Sequence, residues 1–162
     1  METFISIVKK TLRNIYNDTE GFELIIPYVY LGNCEASNSD NMERLGIKLV
    51  INATKSCPFS SDTTRNIRIP VDDDLSMASN IKLYHFIKLV LPIIDEYVKN
   101  KKPVFIHCMA GMQRSAAIVA SYLIVYRGYN VDEAISYIRK IRPIAFRPGP
   151  NFLHTLNMLY YK

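Results

Sequence analysis

Residues 103–126 read PVFIHCMAGMQRSAAIVASYLIVY. Pro103 to His107 is a short run of mostly β-branched and aromatic residues, the pattern of a strand buried on both faces. Ser115 to Tyr126 is apolar nearly all round, as a helix enclosed by its own domain would be. Between them, Cys108 to Arg114 carries Ala110 and Gly111 and follows neither period, so it forms one tight loop. A strand, a loop and a buried helix in succession, with strands early in the chain and helices late, set the class as α/β.

The same reading extends outward. Phe22 to Ile26 and Tyr28 to Leu31 are extended runs split by Pro27, and Ile47 to Asn52 is a buried strand. Ile67 to Val71 is a further strand, leading into the acidic trio Asp72, Asp73 and Asp74. Cys34 to Leu45 reads as a helix stopped by Gly46. Asn80 is expected to cap a long helix from Ile81 to about Lys99, broken near Leu91 because Pro92 sits inside it. Val131 to Arg142 and Asn151 to Tyr161 are the last helices. Phe4, Ile5, Val8, Leu12, Ile15 and Tyr16 recur at helical spacing, so residues 1–20 form an amphipathic opening helix and residues 21–162 the domain proper. That helix packs on its own domain, or its faces meet a membrane surface or a second copy in a homodimer.

A length of 162 residues bounds the chain to one core, and 49% hydrophobic with 22% charged residues is an ordinary globular balance. Twenty Lys and Arg against 15 Asp and Glu leave a formal charge of +5, which favours anionic partners without choosing among them. The 3 cysteines, Cys34, Cys57 and Cys108, cannot all pair within one chain, and none has zinc-ligand spacing. Free thiols, a reducing compartment and no metal are therefore expected. Without a signal-type opening or about twenty uncharged apolar residues in a row, a soluble cytoplasmic protein with no transmembrane segment is expected.

The chemistry concentrates at His107 to Ser115. A loop that opens a helix presents several backbone N–H groups to one point, where the helix dipole adds partial positive charge, and an anion the size of phosphate fits there. A thiolate at Cys108 is stabilised by the same donors, which makes it nucleophilic near neutral pH and sensitive to peroxide. Arg114 supplies a planar fork for two phosphoryl oxygens. Gly111 lets the backbone pass close or take positive φ. Ser115 can donate to the Cys108 sulfur, and His107 orients the cysteine from behind. The backbone of Met109, Ala110, Gly111, Met112, Gln113 and Arg114 forms the phosphate cradle. By chance a C-x5-R spacing arises roughly once in six such sequences, whereas adding the His, Gly and Ser brings this to roughly one in 10⁵.

HCMAGMQRS resembles the H-C-x-x-G-x-x-R-S/T signature of cysteine-dependent protein phosphatases. YVYLGNCEAS…LGIKLVINAT, IRIPVDDD and IRPIAFRPGPNFLHTL resemble the opening, the acid-loop strand and the closing segment of their dual-specificity branch. The likeness covers about residues 25–160. The compact size and a bias toward Ile, Asn, Lys and Tyr further resemble the poxvirus-type members. The resemblance implies a central, mostly parallel sheet of about five strands flanked by helices. It also implies hydrolysis of phosphotyrosine and phosphoserine/threonine on protein substrates through a phosphocysteine, with no cofactor and no nucleic-acid partner.

In that family a proton donor lies about thirty residues before the cysteine, three positions after the proline of an I-P-x-x-D run. This selects Asp73, after Pro70 and 35 residues before Cys108, with Asp74 second and Asp72 facing solvent. Asn151 matches a position that braces the phosphate loop, or else it caps the last helix. Arg139, Lys140, Arg142 and Arg147 form a cluster without intervening acids, read as a solvated face that can also attract acidic substrates. Two alternatives remain. One is the same chemistry on a phosphoinositide or an RNA 5′-phosphate, which the uncharged Met109, Ala110, Met112 and Gln113 disfavour. The other is a phosphoprotein-binding module without turnover.

Overall fold

The computed structural model describes residues 2–162. Its five-stranded sheet runs in the order β1 (Phe22–Ile26), β2 (Val29–Gly32), β5 (Val104–His107), β3 (Leu49–Asn52), β4 (Arg65–Arg68). β1 is antiparallel to β2, and every other pairing is parallel. β5 lies between β2 and β3, with His107 level with Gly32 on one side and Asn52 on the other. β3 and β5 are buried along their whole length, as strands covered on both faces must be. Alternate side chains divide between two cores. Val104 and Ile106 join the larger one beneath the helices, whereas Phe105 packs with Phe22, Met42, Ile47 and Val50 on the other face.

The helices are α1 (Phe4–Ile15), α2 (Ser39–Arg44), α3 (Met77–Lys99), α4 (Arg114–Arg127), α5 (Val131–Ile141) and α6 (Leu153–Tyr160). α4 is buried continuously from Ser115 to Ile124 and ends at Gly128, which takes a left-handed conformation. α5 opens on a reciprocal capping box between Asn130 and Glu133.

Several boundaries differ from the sequence expectation. β4 covers Arg65–Arg68 rather than Ile67 to Val71, because the ladder with β3 stops at Asn52; Ile69 and Val71 are apolar for the sake of burial, not pairing. The expected helix from Cys34 is a 3-10 turn, Glu35–Ser37, followed by the short α2 capped by Asn38. α3 starts earlier than Ile81, with Ser76 accepting from the Ser79 amide as its N-cap. Asn80 is instead buried inside α3 and bonds the Thr155 amide and hydroxyl, joining α3 to α6. α3 continues through Pro92 without a break. By length and composition it could reach across a bilayer, yet in this fold Leu83, Ile87, Val90, Leu91 and Ile94 are core residues.

Cys34 and Cys57 are joined by a disulfide, which corrects the expectation of three free thiols and removes the sulfur-based argument for a reducing compartment. Their spacing of 23 residues carries no pairing signal; the fold sets the turn after β2 beside the loop after β3, with Cα atoms 6.3 Å apart. Cys108 is left as the free cysteine. No residue of α1 is buried. Leu12 and Tyr16 pack on Ala110, Met112 and Ile144, while Phe4 (80% exposed) and Ile5 (60%) project outward.

Candidate active site

The loop Cys108–Gln113 passes from the end of β5 into the first turn of α4. Four of its carbonyls are fixed from behind, each by a different donor atom. Met109 O accepts from the Cys34 amide (3.1 Å) and Met112 O from the Phe146 amide (2.7 Å). Ala110 O and Gly111 O accept from Nη2 (3.2 Å) and Nε (2.8 Å) of Arg142. In a trans peptide the next residue's N–H points opposite to the carbonyl. Tying these oxygens outward therefore turns the amides of Ala110 to Gln113 inward, to the side of the Cys108 sulfur. Gly111 is indispensable: its φ is +64°, and a Cβ there would lie 2.5 Å from the Gly32 carbonyl oxygen and 2.8 Å from Arg142 Nη2.

Cys108 is buried, and its Sγ lies 3.1 Å from Ser115 Oγ. Burial opposes ionisation of this thiol, but the Arg114 guanidinium, the Ser115 hydroxyl and the amides of Ser115 and Met112 outweigh it. The net effect holds the thiol below its ordinary range. Arg114 Nη1 donates to Val71 O (3.0 Å), and its Nε is buried with no partner among the described residues. An unmade bond on a buried guanidinium nitrogen is costly, so this donor marks a place for an oxyanion. His107 is buried, which lowers its pKa to about 4 despite the contact of Nδ1 with Cys108 O (3.3 Å), so the ring is neutral at physiological pH.

The three aspartates separate by environment. Asp73 is nearly buried, with Oδ1 accepting from Asn151 Nδ2 (2.8 Å) and Oδ2 facing Lys9 Nζ (3.4 Å). Asp74 turns away: Oδ1 accepts from the Ser76 amide, and hydrogen bonds from Ser76 hold its pKa at about 2. Asp72 is half exposed and pairs with Lys55.

Three further residues at the site make side-chain contacts that the sequence did not reveal. The Gln113 side chain donates to the carbonyls of Arg147 and Gly149 and accepts from the Asn151 amide, clamping the loop before α6 to the cradle. Asn151 touches Asp73 rather than capping α6, whose cap position is Phe152. The basic cluster expected at a solvated face is dispersed. Arg142 is fully buried, bound by both oxygens of Asp18 (2.9 and 3.0 Å) and by Glu23 (2.7 Å). Arg139 bonds the carbonyls of Ala145 and Phe146, and Arg147 lies over the Tyr16 ring. The acids that pair with Arg142 come from the opposite end of the chain, where no local spacing could reveal them. Among the described residues no group of His, Cys, Asp and Glu is placed to hold a metal.

A family model described as Dual specificity phosphatase, catalytic domain, matches residues 29–162. Dual specificity protein phosphatase 8 of Mus musculus is 34% identical over 140 residues, covering 84% of this chain and 20% of that protein. Dual specificity protein phosphatase 2 of Mus musculus is 31% identical over 130 residues, covering 79% of this chain and 39% of that protein. The chain thus spans between a fifth and two-fifths of these relatives. The crystal structure of DUSP15 superposes with a TM-score of 0.76 at 25% identity, covering 88% of each chain. With the family model matched over most of its length, around a buried cysteine, an arginine and a glycine in the signature spacing, the chain belongs to the dual specificity phosphatase catalytic-domain family.

Proposed function

We propose that this protein hydrolyses phosphotyrosine and phosphoserine/threonine in protein substrates through a phosphocysteine intermediate. The observation that carries the proposal is the buried Cys108 thiol, held toward its ionised form beside a guanidinium with a free buried donor. In the first step the Cys108 thiolate attacks phosphorus in line, forming the S–P bond. The P–O bond breaks, and the leaving oxygen takes the proton of Asp73. Arg114 and the inward amides hold the three equatorial oxygens. In the second step Asp73, now a carboxylate, removes a proton from the attacking water. The S–P bond breaks to release inorganic phosphate, and Ser115 stabilises the departing thiolate.

Turnover of p-nitrophenyl phosphate and of phosphotyrosine and phosphothreonine peptides tests this reading. Cys108→Ser is expected to abolish all three, and full activity in that variant refutes the nucleophile. The exposed apolar residues Phe4, Ile5 and Ile15 of α1 support a homodimer through that helix, which sedimentation of the protein with and without an Ile5→Glu change checks. The Ile, Asn, Lys and Tyr bias supports a poxvirus-type protein acting in the cytoplasm, which fractionation of infected cells checks.

A further inference from the structure

We infer that Lys9 of α1 is a positioning residue for the acid step, clamping the Asp73 carboxyl group and meeting the negative charge that develops on it as its proton departs. The inference rests on Asp73 being the proton donor. Asp73 and Lys9 are 64 residues apart in sequence, so their contact is made by the docking of α1. The Asp73 side chain is 7% exposed and that of Lys9 25%, so the pair is shielded more than a surface ion pair and its geometry matters more. Each carboxyl oxygen has one donor: Asn151 Nδ2 at Oδ1, 2.8 Å, and Lys9 Nζ at Oδ2, 3.4 Å. Together they fix the plane of the group from two sides, one donor from the segment before α6 and one from α1.

The other carboxylates beside Asp73 are engaged elsewhere. Asp72 pairs with Lys55, and Asp74 accepts from Ser76. Arg114 donates to Val71, and Arg147, which lines the same cleft of about 260 Å³ beside α1, lies over Tyr16. Among the described residues Lys9 is the one cation within ion-pair distance of Asp73. When the P–O electron pair passes to the leaving oxygen and the Asp73 proton follows it, the carboxyl group becomes an anion. An ammonium already in place favours that change without reorganisation.

The dependence on leaving group separates this role from simple anchoring of α1. A nitrophenolate leaves with little help from a proton, whereas an unsubstituted phenolate requires one. The ratio of kcat for p-nitrophenyl phosphate to kcat for phenyl phosphate is measured in the wild-type full chain and in Lys9→Met, Lys9→Arg and Asp73→Asn. The expected result is a ratio raised ~10-fold in K9M, restored to within about threefold of wild type in K9R, and raised most in D73N. An unchanged ratio in K9M, or an equal loss in K9M and K9R, overturns the inference, since an anchor alone slows both esters alike. An unchanged ratio in D73N instead refutes Asp73 as the acid, whatever Lys9 does.

Discussion

Replacing Arg142 with methionine removes the guanidinium and keeps most of the stem volume. The change leaves Asp18, whose side chain is 3% exposed, without its two strongest bonds, and it frees Glu23 and the carbonyls of Ala110 and Gly111. Breaking a buried ion pair from one side costs about 3–5 kcal/mol, because the remaining charge stays buried and uncompensated. For a domain of this length each kcal/mol lowers Tm by about 3 °C, so R142M is expected to melt about 12 °C below wild type. Arg142→Lys keeps the charge but gathers its donors on one nitrogen, which cannot span two carbonyls and two carboxylates at once. It is expected to recover about half of the loss. At 25 °C, where both variants remain folded, kcat/KM for p-nitrophenyl phosphate is expected to fall by ~10-fold or more, because the cradle carbonyls are no longer tied back. Calorimetry and steady-state kinetics on the same preparations read both effects. A Tm within 3 °C of wild type in R142M, about 1 kcal/mol, would falsify the claim that this arginine holds the loop.

Two further outcomes are expected. Asp73→Asn lowers kcat on a phosphotyrosine peptide by about 10²-fold, while Asp74→Asn, which removes the charge but keeps an acceptor for the Ser76 amide, leaves it within roughly threefold; the reverse order would move the acid to Asp74. Because His107 titrates at about 4 in the fold, the unfolded chain alone takes up that proton as pH falls from 6.5. Stability is therefore lost from pH 6.5 down to 4, by up to about 3 kcal/mol from this group. Urea unfolding of wild type and His107→Gln at pH 7, 5.5 and 4.5 tests this, and equal losses in the two proteins count against it.

The cradle was legible because its chemistry is local. Cys108, Gly111, Arg114 and Ser115 lie within one strand–loop–helix unit, and the apolar runs on either side fix where it sits. β3 and β5 were legible for a related reason: a strand covered on both faces must be apolar throughout. What remained hidden is tertiary. Gln113 is uncharged and lies between signature residues, yet its side chain clamps the loop before α6. Arg142 looked like one of four surface cations, because its counter-charges lie 124 and 119 residues away. The Cys34–Cys57 pairing depends on two loops meeting, and Cα proximity has no signature in spacing. At the start of α3, Asn80 and Ser76 both have capping side chains. Ser76 took the cap, and Asn80 gained more by joining Thr155 in the interior.

The arginine that ties back the cradle reaches forward to Asp18 and Glu23, and both precede residue 29, where the family match begins. A fragment cut at that boundary would keep every signature residue and look intact in any alignment. It would nevertheless hold a buried cation stripped of both its counter-ions, directly behind the peptide groups of Ala110 and Gly111. For this protein Asp18 and Glu23 are part of what holds the loop in shape, and trimming them for convenience of expression would report on a different molecule.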